Sequence, residues 1–207
     1  ALEGFTHLIP FAAGQEIIRQ KKKDLTAIRL TPDLIYDQMI GAGCIAKLIF
    51  SWGGNPGVGS LHRLRDALSN SWPRPLEIEE HTHAGMTNRY VAGASGLPFS
   101  VLRGYGGTDL LSKTENIAQI KSPFGDEVLL AVAALNPDVT IIHAQQADRK
   151  NNVMSWGILG SSKEAVFAAK KVIITVEEIV DEFKPHHNSV MFPEKLITAL
   201  ALSPRGA

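Results

Sequence analysis

Cysteine is nearly missing from these 207 residues: Cys44 stands alone, so no intrachain disulfide can form and a cysteine-built metal site is excluded. That usage fits a reducing cytoplasm. An excess of one charge is missing too. Lys+Arg and Asp+Glu balance at 21 each and the pI is near 7.3, which leaves no overall field to draw the chain onto nucleic acid or an anionic membrane. No apolar run approaches the ~20 residues of a membrane span, and the opening ALEGFTHLIPF carries no basic leader region. The three tryptophans do not interleave with basic residues, which argues against a nucleic-acid platform. The chain also lacks a GxSxG elbow, a Walker loop ending in Gly-Lys-Ser/Thr, a GxGxxG fingerprint and an HExxH pair.

What is present alternates. Leu25 to Leu30, Ala46 to Trp52, Val139 to Ala144 and Lys171 to Val176 are short, β-branched, nearly continuous apolar runs and read as strands. Between them, Pro10 to Gln20, Leu61 to Asn70, Gly85 to Ala94 and Lys163 to Lys170 carry helical spacing; Pro10 suits a first turn and Phe11, Ile17 and Ile18 share a face. This order predicts an α/β fold, a mainly parallel sheet with helices on both faces. One domain over residues 1–207 is expected. The start without Met and the turn-like SPRGA at the end suggest trimming at both ends. Gly104 to Asp126, with three glycines before Pro123 and Gly125, reads as one long irregular loop, either functional or packed on a partner, with a plain surface excursion as the competing reading.

Two strand exits carry the candidate chemistry. After Ala46 to Trp52 comes a loop with Gly53, Gly54, Asn55, Gly57, Val58, Gly59 and Ser60, then a helix that Ser60 is placed to cap. In parallel sheets ligands bind beyond the strands' carboxyl ends, where glycines admit a close backbone; a plain tight turn is the competing reading. After Val139 to Ala144 come Gln145 and Gln146, whose amides could bond a carboxylate, a thioester oxygen or a pantetheine arm, or merely steady a turn. His143, inside that strand, reads as a satisfied core histidine. In Leu76 to His83 the alternation puts Glu77 and Glu79 on one face. His81 and His83 invite a metal reading, but two imidazoles need converging companions, and a polar strand end is the commoner use. Lys184 to Asn188 reads as an exposed turn. Cys44, in GAGCIAK, has no charged neighbour at its side and reads as structural.

Taken in order, ALEGFTHLIPFAA, DLTAIRL, GGNPGVGSLHR, AGASGLPF, IIHAQQAD and ITVEEIV resemble the α-type subunit of the two-chain, family I coenzyme A transferases, the glutaconate enzyme among them. The resemblance implies a three-layer CoA-transferase-like sandwich and transfer of CoA from an acyl-CoA to a free carboxylic acid. It implies no cofactor, with coenzyme A as substrate. It also implies a β-type partner subunit carrying the nucleophilic glutamate in a Ser-Glu-Asn-Gly-like motif, which this sequence lacks: Glu115-Asn116 has no glycine after it. No catalytic residue is therefore expected here, and Gly53 to Ser60 with Gln145 and Gln146 would wall the acyl group or CoA arm. Pro56 stands where the glutaconate enzyme has a substrate-holding serine, which makes glutaconate itself a poor fit. The alternatives are a thioester hydrolase or ring-opening enzyme on the same scaffold, a sugar-phosphate isomerase, or a non-catalytic binding subunit.

Overall fold

The computed structural model describes residues 1–55, 59–184 and 186–207. In chain order the elements are α1 (Phe11–Arg19), β1 (Leu25–Ile28), α2 (Leu34–Gly41), β2 (Ile45–Phe50), α3 (His62–Asn70) and β3 (Glu77–Glu80). There follow α4 (His83–Ala94), β4 (Phe99–Leu102), α5 (Leu110–Lys113), β5 (Ile117–Lys121) and β6 (Val128–Ala133). The last are β7 (Val139–Asp148), β8 (Val153–Ser155), α6 (Ser162–Ala168), β9 (Lys171–Val180), β10 (Val190–Phe192) and β11 (Ala199–Leu202). The anticipated strands at β1, β2, β7 and β9 and helices at α1, α3, α4 and α6 are all present.

β1, β2 and β3 run parallel, as do β7, β9 and β11, with β8 added antiparallel to β7 and β10 antiparallel to β8 at the edge. Residues 1–3 join the two sheets. Leu2 N–H donates to the Ile28 carbonyl (3.2 Å) and Glu3 N–H to the Ile141 carbonyl (3.0 Å), so this segment lies between β1 and β7. On one face Ile35, Tyr36 and Met39 of α2, with Leu64 and Ala67 of α3, bury Ala27, Leu48 and Phe50. On the other, Met86 and Tyr90 of α4 and Ala165 and Ala168 of α6 cover Ile28 and Ile49. Strands buried on both sides are why the sequence runs are almost wholly apolar. This is the expected α/β sandwich.

The stretch read as one irregular loop is only partly that. It contains α5 and β5, and β5 pairs with β6 in a third, antiparallel sheet of order β4-β6-β5. One face of that sheet packs Ile117, Leu130 and Val132 around Tyr105. On the other face the register aligns Phe99, Val101, Ala118, Ile120, Leu129, Ala131 and Ala133, all without charge. The face packed around Tyr105 also carries Ser100, Gln119 and Lys121 while the other is uncharged, so the period-two signature that would mark a half-exposed sheet is blurred.

Candidate active site

β1, β2 and β3 end level with one another. Ser51 Oγ–H and N–H both donate to the Leu30 carbonyl (2.6 and 3.1 Å), and His81 N–H donates to the Phe50 carbonyl (2.8 Å). Beyond these ends lies a cleft of about 390 Å³. Phe5 and Thr6 reach it from the opening segment, Arg29, Thr31 and Asp33 from the exit of β1, Trp52, Gly54 and Asn55 from the exit of β2, and His83 from the start of α4. A smaller hollow of about 240 Å³ adjoins it, walled by Gly53 to Asn55, Gly59, Ser60, Leu64 and Arg65, with Trp52 between the two.

The glycine loop is built for close backbone approach. Gly59 N–H donates to the Asn55 carbonyl (3.2 Å), closing a neck, and Gly59 holds φ +116, which side chains resist. Gly54 N–H donates to the Pro32 carbonyl (3.1 Å), and a Cβ there would stand 2.4 Å from the Trp52 indole. Gly53, Gly54, Asn55, Gly59 and Ser60 are thus brought together at the strand ends; Gly57 and Val58, like Pro56, lie outside the described residues. Ser60 does not cap α3: Leu61 holds the N-cap position with no side-chain bond, and Asp37 of α2 accepts from Leu64 N–H (2.9 Å) in its place. The opening segment adds strain: Thr6 and Leu8 both hold positive φ (63 and 55), a cost of the kind that collects at functional sites.

Gln145 and Gln146 line neither cavity. Adjacent strand residues face opposite sides, and these two part accordingly. Gln145 Nε2 donates to the Trp156 carbonyl (3.0 Å) and its Oε1 accepts from Trp156 N–H (3.1 Å), while Gln146 Nε2 donates to Glu178 (2.7 Å). Gln145 reaches the site only through the loop it steadies. That loop brings Ile158 N–H onto His7 Nε2 (2.9 Å) and sets Gly160 against Phe5.

The residue that sequence reading passes over is Arg29. Only 1% exposed, it donates from Nη1 to Asp33 Oδ1 (3.0 Å) and from Nη2 to the Gly4 carbonyl (3.0 Å), and its buried Nε–H has no acceptor. Glu3 lies buried alongside; Leu30 N–H (3.2 Å) and the Tyr90 hydroxyl (2.8 Å) both donate to its Oε1. Burial pushes the Glu3 carboxyl up to about 7 against the pull of Arg29. The available signal is an arginine inside LTAIRL, an otherwise apolar strand.

A second ionic cluster sits beside β3. Lys47 contacts both Glu77 (2.6 Å) and Glu79 (3.1 Å), so the shared face expected for these carboxylates is real. Arg89, His81 Nε2 (3.0 Å) and Asn116 Nδ2 (2.8 Å) also meet Glu79 Oε1. The Tyr105 hydroxyl lies 2.9 Å from His81 Nδ1 and accepts from Thr82 N–H (3.3 Å). His81 is therefore spent on structure, and no metal-ligating group of three occurs among the described residues. Burial pushes the imidazole down, with the Glu79 bond pulling the other way. His143 likewise has both ring nitrogens engaged, by Thr175 (2.8 Å) and Glu177 (2.7 Å).

Asp33 is the one carboxylate among the described lining residues, and it is paired with Arg29 (3.0 Å). Among the described lining residues no hydroxyl is hydrogen-bonded to an imidazole or carboxylate. Cys44 is buried just before β2 begins, six residues from the strand's other end, roughly 20 Å from the site at ~3.3 Å per residue. Burial pushes its thiol up, away from reactivity.

The family model for coenzyme A transferases matches residues 1–202. The chain is 62% identical over all its 207 residues to the A-type subunit of 3-oxoadipate CoA-transferase from Pseudomonas knackmussii, covering 73% of that protein. Among solved structures it superposes on glutaconate coenzyme A-transferase of Acidaminococcus fermentans with a TM-score of 0.86 at 28% identity, covering 100% of this chain and 70% of the other. On a cysteine-to-serine variant of the decarboxylase AibA/AibB the TM-score is 0.87 at 27% identity, covering 99% and 76%. Sequence, sandwich and strand-end cleft agree: the chain belongs to the coenzyme A transferase family.

Proposed function

We propose that this chain is the A-type subunit of an enzyme that moves CoA from an acyl-CoA onto a dicarboxylic 3-oxo acid of the 3-oxoadipate kind, with the nucleophilic glutamate on a B-type partner. The observation that carries it is the 62% identity, over every residue of the chain, to a relative named for that reaction. A cleft whose one described carboxylate, Asp33, is already paired with Arg29 supports a division of labour between two chains. Pro56, in place of the serine of the glutaconate enzyme, supports a different acid.

In the reaction so assigned, the partner's carboxylate attacks the thioester carbonyl and expels CoA thiolate, leaving a mixed anhydride. The thiolate then attacks the glutamyl carbonyl, which frees the donor acid and leaves CoA as an enzyme thioester. The acceptor carboxylate attacks that thioester and expels CoA thiolate to give a second mixed anhydride, and the thiolate then attacks its acyl carbonyl, yielding the new acyl-CoA and freeing the glutamate. Coenzyme A enters as substrate, and no further cofactor is required. This chain supplies walls that orient the acyl group and exclude water.

The test is co-expression with the B-type chain, followed by assay of 3-oxoadipate with succinyl-CoA as donor. Each chain alone should be inactive, and hydroxylamine after donor addition should modify the partner and leave this chain untouched. A label on this chain would overturn the assignment. The likeness to a decarboxylase supports a second reading, another reaction on the same scaffold; thioester hydrolysis or decarboxylation without CoA exchange would identify it.

A further inference from the structure

An arginine that is 1% exposed, lines a ligand-sized cleft and keeps a buried N–H without an acceptor calls for an explanation. Its partners, Asp33 and the Gly4 carbonyl, use two of its three nitrogens and leave Nε free. At the same cleft His83 opens α4 and is exposed, and Thr82 Oγ1 takes the Gly85 N–H (3.0 Å) rather than that of His83. The cleft thus offers an imidazole and a helix start at its rim and a guanidinium in its wall.

We propose that Arg29 and His83 form the subsite that reads the second carboxylate of a dicarboxylic acyl group, the one that does not react. The proposal rests on the transferase reading above. The reacting carboxylate has to meet a nucleophile arriving from another polypeptide, so the end of the acyl chain pointing into this chain is the remote one. Arg29, Thr31 and Asp33 line the cleft together at the exit of β1, and His83 lines it from the start of α4. Asp33 sets the strength of the subsite. At 3.0 Å it cancels the guanidinium charge, so the carboxylate is held by N–H donors and not by a bare cation. Such a site suits one small anion.

The experiment uses the reconstituted two-chain enzyme at fixed succinyl-CoA. It compares kcat/KM for 3-oxoadipate with that for 3-oxohexanoate, which has the same chain length and one carboxylate. His83→Gln, at an exposed position, should cut the preference for the diacid about ten- to hundredfold, the worth of one hydrogen bond to a charged group, and should do so through KM. Arg29→Met combined with Asp33→Asn removes both charges without stranding either, and should do the same. Asp33→Asn alone frees the guanidinium charge and should raise the preference, which no merely structural role of Asp33 produces. A preference unchanged within about twofold in all three variants, with an active wild type, overturns the subsite alone. Wild-type enzyme that transfers to both acids equally also overturns it alone. Wild type inactive on both acids overturns the transferase reading and the subsite with it.

Discussion

Glu3 and Glu79 are both buried carboxylates beside a buried arginine, yet the fold moves their titration in opposite directions. Burial raises Glu3 to about 7 and outweighs the pull of Arg29, which donates to Asp33 and Gly4 while only Tyr90 and Leu30 donate to the carboxylate. Burial pushes Glu79 the same way but loses to His81, Arg89, Lys47 and Asn116, which hold it well below the usual carboxylate range. What decides a buried acid is therefore how many donors are committed to it, and not whether an arginine is near. The saturated cluster bolts β3 to α4 and the antiparallel sheet. The unsaturated one faces the cleft.

The contrast can be broken most forcefully at Glu79. Replacing it with leucine leaves Arg89 buried and unpaired, and should cost about 3–5 kcal/mol in chemical denaturation; a loss under ~1 kcal/mol would show that the cluster is dispensable. Next comes pH. With a folded value near 7 against an ordinary 4.5, Glu3 favours the fold fully below pH 4.5, and that contribution fades as pH rises through 7. The change is on the order of 3 kcal/mol. Glu79 acts in reverse, its contribution present above the ordinary carboxylate range and lost as the solution is acidified. Glu3→Gln should flatten the upper slope of a stability–pH curve and leave the acid limb in place. Tyr90→Phe is smaller, about 1–1.5 kcal/mol, and by removing a bond that lowers Glu3 it should move the upper slope to higher pH. Smallest is Lys47→Met. This partly exposed lysine shares itself between Glu77 and Glu79, and its loss should cost less than about 1 kcal/mol by urea midpoint.

The sequence discloses whatever is local and periodic. Strands buried on both faces show as unbroken apolar runs, and α1, α3, α4 and α6 keep one wet side. α2 escapes notice because Ile35, Tyr36, Asp37, Met39 and Ile40 are all buried, which leaves little polar face to set its period. The antiparallel sheet escapes for a related reason, since its outward face is uncharged and its polar residues, Ser100, Gln119 and Lys121, fall on the face that packs Tyr105. The cleft's glycine loop is legible because glycine at a strand exit has a steric meaning. The α3 cap is misassigned to the neighbouring Ser60, since no local pattern points to Asp37, 27 positions earlier than the amide it meets. Arg29 can be found by asking why a charge interrupts LTAIRL.

The joining of the two sheets through residues 1–3 bears on how the chain folds. Its opening segment finds neighbours at Ile28 and at Ile141, two thirds of the way along the polypeptide. A contact so distant in sequence raises contact order and slows folding. Until β7 has formed, residues 1–3 keep one edge unpaired, an interval in which a second strand could hold them.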